Sequence, residues 1–228
     1  MSFDNGWRGP DIVADNLVTY LDAGSPNSYV VNYGTTWRDI SGNSNNGTLI
    51  NTPTFSSDNR GIFSFNGTNQ YVSAGSPNLQ TTWTLEIWAY MNSDVAFGLF
   101  GQGIGGTNQG LHIYYTNGAR GMVFAMWNND NDYANNYRPL TGIWYHWVFT
   151  YNSSTFAKQF YANGVLQTPG SSVQNIYQGS GQFNIGATFS IAEKFANGRI
   201  GGVKRYSSIL SAQEIAQNYN AQKSRFGL

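Results

Sequence analysis

Cysteine is absent from the 228 residues, so neither a disulfide nor a thiolate metal site can brace this chain. Charge is scarce as well, with 11 % charged residues against roughly a quarter in an ordinary soluble protein. Twelve basic and twelve acidic side chains cancel, and neither sign forms a run. A nucleic-acid interface needs a positive stripe that displaces counterions, and none is present. No apolar stretch reaches the about 18 residues that read as a membrane-crossing helix. The opening Met1–Pro10 is polar and lacks the apolar segment of a signal peptide, which predicts that export by that route is not used. Acids and bases suited to catalysis are few: glutamate occurs only as Glu86, Glu193 and Glu214, and histidine only as His112 and His146.

What the chain has instead is amide, glycine and ring. Glycine and asparagine each occur 27 times and aromatics make up 16 %, so amides, hydroxyls and tyrosines must wet the surface. The length suits one well-buried core, read here as a single domain over 11–228 behind a glycine-bearing arm, 1–10. From Trp83 to Met91 every odd position is apolar, the period of a half-buried strand, which turns Glu86, Trp88 and Tyr90 to the other side. Asn117-Gly118 and Asn163-Gly164 are hairpin signals between alternating runs. Ser211 and Glu214 form the S-x-x-E capping box of a helix whose Ile215 and Tyr219 share a face and pack under the sandwich edge. Closely spaced hairpins with one helical segment predict an all-β, two-sheet antiparallel jelly-roll sandwich ending in a short helix.

A series of motifs runs through the chain in order: Tyr20–Gly24 (YLDAG), Asp39–Thr48 (DISGNSNNGT), Phe65–Val72 (FNGTNQYV), Thr84–Trp88, Trp144–Tyr151 (WYHWVFTY), Tyr161–Gly164 (YANG) and Ser211–Tyr219. Together they resemble a laminin-G-like, or concanavalin-like, jelly-roll domain. The resemblance implies that the first and last strands lie side by side. It also raises calcium, because many relatives carry paired acids where this chain has Asn69 and Gln70, and another acid where Gly201 stands. Asp22 and Asp39 remain as weak metal candidates, with Asp22 better suited to fixing a turn. No cofactor is required by this reading. The compact opening and the ending after Ser211 look like those of structural proteins of tailed bacteriophages. That likeness implies a non-enzymatic virion surface protein, a head decoration or a small fibre or tail module, assembled in the host bacterial cytoplasm. Its partners would be capsid or tail proteins, contacted through Phe3, Trp7 and Arg8 of the arm.

The alternative reading is a carbohydrate-binding or adhesive module for a host-surface glycan. Trp127–Arg138 (WNNDNDYANNYR) is the richest segment in recognition groups. Trp127, Tyr133 and Tyr137 can stack on sugar faces, while Asn128, Asp130, Asp132, Asn136 and Arg138 can take hydroxyl hydrogen bonds from a loop. A glycan hydrolase or lyase is disfavoured. Hydrolysis needs two carboxyls about 5 to 9.5 Å apart, and the nearest pair, Asp130 and Asp132, sits in that asparagine-rich segment without an E-x-D-x-E pattern. His146 reads as a hydrogen-bonded structural residue, His112 has no sequence-near carboxylate, and no G-x-S-x-G elbow is present.

Overall fold

The computed structural model describes residues 11–31, 34–133, 136–188 and 194–228. The arm 1–10, with Phe3, Trp7 and Arg8, lies outside the described residues. Two antiparallel sheets face each other. In spatial order the eight-stranded sheet holds β14 (Val165–Gln167), β13 (Lys158–Ala162), β12 (Trp144–Tyr151), β7 (Trp83–Met91), β17 (Asn197–Tyr206), β5 (Ile62–Asn66) and β4 (Thr54–Ser56). Its eighth strand, β1 (Leu17–Asp22), also pairs with β17, so the first and last strands are neighbours as expected. The nine-stranded sheet runs β15 (Ser171–Ser172), β11 (Asp130–Asp132), β10 (Gly121–Ala125), β9 (Gly110–Thr116), β8 (Phe97–Gly103), β16 (Phe183–Ile185), β6 (Tyr71–Ser73), β3 (Gly47–Ile50) and β2 (Thr36–Trp37).

Alternation along the strands builds the core. Trp83, Leu85, Ile87, Ala89 and Met91 of β7 all point between the sheets. They meet a continuous row from the nine-stranded sheet, Leu49, Val72, Ile185, Phe100, Ile113 and Phe124, whose members are paired strand to strand. The two hairpins differ. Asn163 (φ 50°) and Gly164 (φ 80°) are both left-handed, the conformation of the tight two-residue turn. At Asn117-Gly118 the turn spans four residues, 117–120, and the positive φ falls on Gly121 (60°) instead, which brings Arg120 to the start of β10. The segment read as a loop, 127–138, contains a strand, β11, because its backbone completes the edge of β10.

Strand β7 is not half-exposed as its alternation predicts: Thr84, Glu86 and Trp88 on its outer face are also buried. The helix α1 (Ala212–Gln222) and a 3-10 turn (Lys223–Phe226) lie across that face. The capping box forms as read, with Glu214 accepting from the Ser211 amide at 2.7 Å and Ser211 Oγ from the Glu214 amide at 3.3 Å. Ile215 packs with Val148, Tyr161, Tyr206 and Leu210, and Tyr219 stacks on Trp88 at 5.9 Å. Both therefore cover the sheet face, not its edge, because β12, β7 and β17 present large side chains outward as well. The tail completes the cover. Phe226 stacks on Trp88 at 4.3 Å, and Arg225 reaches Asp22 at 2.6 Å and the carbonyls of Asn59 and Gly61.

A polar network lies under this helix. Glu86 accepts from Asn218 at 2.6 Å and from Lys204 at 3.2 Å, with His146 at 3.4 Å. Asn218 also accepts from the Val13 amide at 2.7 Å, while Gln222 accepts from Lys204 at 2.7 Å and from Trp88 at 3.0 Å. Burial pushes the Glu86 carboxyl up, but Lys204, His146 and Asn218 outweigh it and hold it at about 2, against an ordinary 4.5. Burial likewise pushes His146 below its ordinary 6.5.

Two predictions follow from this packing. Both shifts mean that the unfolded chain takes up protons before the native one does, so stability falls on acidification. Stability to urea should be near its maximum above about pH 6.5. It should weaken below that as unfolded His146 charges, and then lose about 3 kcal/mol more between roughly pH 4.5 and 2 as Glu86 titrates. Lys204→Met strands the carboxylate and should cost about 3–5 kcal/mol at pH 7. A variant as stable as the parent would mean the ion pair does not hold the helix. Second, a Cβ on Gly201 would stand 2.5 Å from the Phe226 ring, so the close approach of that ring requires glycine here. Gly201→Ala should lower stability by about 1–3 kcal/mol, read by the same urea titration.

Candidate site on the outer face of the nine-stranded sheet

With one sandwich face sealed by the helix, the opposite face carries the polar residues. One register row crosses it: Thr36, Thr48, Ser73, Asn184, Gly101, His112, Ala125 and Asp130, each paired with the next across the strands. Paired residues share a face, and the adjacent row is the apolar one described above, so this row points outward. The next outward row holds Gly98, Tyr114, Val123 and Asp132. Small residues dominate the middle strand, β8, which leaves room above the backbone. Residues 194–196 run over it: a side chain at Gly98 would collide with the Lys194 carbonyl, and Ala187 bridges to Phe195.

Beside this crossing lies a cleft of about 430 Å³. Tyr71, Phe195 and Ile104 form its apolar wall, with the two rings 6.3 Å apart. Gln182, Asn184, Ser180 and Thr188 add amides and hydroxyls to the lining, and Lys194 adds a charge. Gln182 donates to Asn184 Oδ1 at 2.7 Å, and Asn184 to the Thr188 carbonyl at 3.4 Å, which fixes both amides. The Lys194 amine stands 5.0 Å above the Tyr114 ring.

Further along the same face sits a second group. The Arg120 guanidinium donates to Asp132 at 2.8 and 2.9 Å and to Asp130 at 2.6 Å, with Tyr114 OH at 3.4 Å. His112 stacks on Tyr114 at 5.8 Å and bonds the Gly110 carbonyl through Nδ1 at 2.8 Å; burial lowers its pKa, opposed by Asp130. Trp127 meets His112 edge-on at 6.0 Å. Trp127 (φ 48°) and Asn128 (φ 59°) both occupy the left-handed region in the turn closed by Met126 and Asn129. That conformation disfavours a bulky side chain, and it holds the indole at the tip of the hairpin.

The residues singled out from the sequence separate. Trp127, Asp130 and Asp132 lie on this face, and Asn128 bonds Thr107 beside it. Tyr133 and Tyr137 do not stack outward. Tyr133 is fully buried against Phe160, and Tyr137 packs on the same ring while its hydroxyl accepts from Trp147 at 2.8 Å. The β11 pairing sends alternate side chains inward, which the loop reading could not anticipate. Asn136 bonds the Thr168 carbonyl, and Arg138 caps the 117–120 turn through the carbonyls of Asn117 and Gly118. Tyr71, Gln182, Asn184, Lys194 and Phe195 were missed because they come from separate segments with no local motif. Arg120 carried a faint signal, as a cation beside a hairpin turn.

Both carboxylates proposed for a metal are hydrogen-bonded within the chain. Asp22 is held by Arg225 at 2.6 Å, Tyr20 OH at 2.9 Å and the Gly24 amide at 2.8 Å. Asp39 accepts from Tyr20, Ser41 and Asn45 amides and from Ser41 Oγ. In the 66–70 hairpin the Asn66 side-chain oxygen accepts from the amides of Thr68, Asn69 and Gln70. Among the described residues no three His, Asp or Glu groups converge. The acid pair read from the sequence is bridged by a cation. Arg120 Nη2 lies between Asp130 and Asp132, 2.6 and 2.7 Å from their oxygens, where a scissile bond would have to sit. Glu86 is sealed under α1, and Glu214 is committed to the helix cap.

Comparison with known proteins fits this architecture. Domain 4 of an extracellular arabinanase from Geobacillus stearothermophilus, in complex with arabinotriose, aligns with a TM-score of 0.69 at 16 % identity, over 90 % of this chain and 98 % of that one. Trypanosoma rangeli sialidase aligns with a TM-score of 0.67 at 16 % identity over 92 % of this chain, which spans only 33 % of the sialidase. The receptor-binding domain of botulinum neurotoxin C/D mosaic serotype gives 0.61 at 16 % identity, over 92 % of this chain and 52 % of that one. Identities this low establish a shared fold. No curated protein matches by sequence. The sequence profile of the concanavalin A-like lectin/glucanases superfamily matches residues 66–216, well over half of the chain. With that match, the two-sheet sandwich and the motifs in their order, the chain belongs to the concanavalin A-like lectin/glucanases superfamily.

Proposed function

We propose that this chain is a non-catalytic carbohydrate-binding module that holds a glycan in the cleft between Tyr71, Phe195 and Ile104 and the amides of Gln182 and Asn184. The observation that carries the reading is the mixed lining. A sugar has apolar C–H faces and a polar rim, and one cleft here combines the Tyr71 and Phe195 rings with fixed amides and hydroxyls. The arabinotriose complex of a similarly folded domain supports the same reading. The absence of catalysis rests on Arg120 standing between Asp130 and Asp132 and on the sealing of Glu86.

The virion setting is a second, compatible reading. Its support is the likeness of the opening and closing segments to tailed-phage structural proteins, with the arm 1–10 as the segment that would contact capsid or tail proteins. On a particle, the helix-sealed face would be turned away from solvent, leaving the cleft face toward a host glycan.

Calorimetric titration against a panel of oligosaccharides should give binding with no hydrolysis products over long incubation. Phe195→Ala and Tyr71→Ala should each weaken it several-fold, at about 1 kcal/mol per stacked ring. Folded variants with unchanged affinity would place the site elsewhere, and released sugar from the parent would overturn the non-catalytic reading.

A further inference from the structure

A second cleft, of about 240 Å³, opens between the two sheets beside β1, and we infer that Arg205 and Thr19 hold a small oxyanion there: a carboxylate, sulfate or phosphate group. It shares no lining residue with the glycan cleft. Arg205 pairs with Leu85 of β7 and with Thr19 of β1, so all three lie on the inward face, where Leu85 is core. A bulge between Leu17 and Thr19 sets that register. Without the extra residue Thr19 would stand opposite Lys204 and turn to the side that α1 covers.

Neither side chain has a hydrogen-bonding partner among the described residues. Thr19 is only 7 % exposed and lines the cleft, and Arg205 is half-buried beside it. Withdrawing such donors from water is costly unless something else accepts from them. The other half-buried arginines are answered within the chain: Arg120 by Asp130 and Asp132, Arg225 by Asp22, and Arg199 by the Tyr90 ring at 4.7 Å. Burial pushes the Arg205 guanidinium below its ordinary range, opposed by Asp39. The Asp39 oxygens are taken up by the Tyr20, Ser41 and Asn45 amides and the Ser41 hydroxyl. Asn43 and Asn45 also donate to the Leu17 and Val18 carbonyls at 3.2 and 2.5 Å, so the 39–46 loop is clamped to β1 and brings Ser44 and Asn46 into the lining. Asn46 Oδ1 accepts from the Asp39 amide at 2.8 Å, which leaves its Nδ2 hydrogens to donate. Phe183, Ile185 and Val203 supply apolar walls, and no carboxylate lines the cleft. A guanidinium fork beside hydroxyl and amide donors is the chemistry that grips an oxyanion by two oxygens. The volume falls below the roughly 300 Å³ at which pockets for drug-sized ligands begin, so one anionic group and its nearest atoms fill it.

NMR titration of the ¹⁵N-labelled protein with sodium phosphate, sodium sulfate and sodium glucuronate, at one ionic strength held with sodium chloride, tests the site and tells the three anion types apart. The Arg205 Nε–Hε signal and the Thr19, Ser44 and Asn46 amides should shift saturably with at least one of them. Arg205→Met keeps the apolar stem without the charge and should weaken that binding by about tenfold or more. Thr19→Val removes one hydroxyl at constant shape and should weaken it several-fold. Urea midpoints establish that each variant folds, and the parent's own Nε–Hε signal with Thr19→Val decides the matter if Arg205→Met does not. Absence of saturable shifts with all three anions, shifts that chloride alone reproduces, or unchanged affinity in folded Arg205→Met overturns the site. A neutral oligosaccharide in the glycan cleft should bind Arg205→Met and the parent alike, so the two sites fail separately.

Discussion

The buried pair of Glu86 and Lys204 fixes which side of this molecule is available for function. An ion pair removed from water is destabilising unless its remaining oxygens and hydrogens are satisfied. Here the satisfying groups come from outside the sheet: Asn218 and Gln222 of α1 complete the bonds of Glu86 and Lys204. The helix is therefore held down by polar bonds at its centre and by Ile215, Tyr219 and Phe226 around them. One outer face becomes a second core layer, and the cleft lies on the other.

That face is shaped by the same alternation that builds the core. Along β8 and β9 inward and outward residues alternate, so Phe100 and Ile113 imply Gly101 and His112 on the other side. The 194–196 segment laid across β8 then turns a flat sheet face into a cleft with a ring-lined wall. Scarcity of charge follows from this economy of amides. Asparagine side chains close turns on their own backbone, as at Asn66 and Asn152, and glutamine and asparagine line the cleft.

Much of the fold was legible because it is local. The odd-position alternation of 83–91, the Asn163-Gly164 turn and the Ser211–Glu214 box each act within a few residues, and each forms as read. The burial of Glu86 was not legible, since it depends on a helix more than a hundred residues later in the chain. The site was legible only in part for the same reason. Trp127, Asp130 and Asp132 stand close together in sequence, but Tyr133 turns inward once β11 pairs with β10, and the cleft itself joins residues from 71, 103–104, 180–188 and 194–195. Composition identified a surface rich in amides and rings; pairing decided which of them converge.

The central claim is that the glycan meets the outer face of the nine-stranded sheet. Backbone amide shifts of the ¹⁵N-labelled protein, followed by NMR during titration with a binding tetrasaccharide, test it most directly. The account predicts perturbations centred on 71, 103–104, 180–188 and 194–195. Perturbations centred on the 39–46 and 66–70 loops, or on α1, with those segments unmoved, would contradict it.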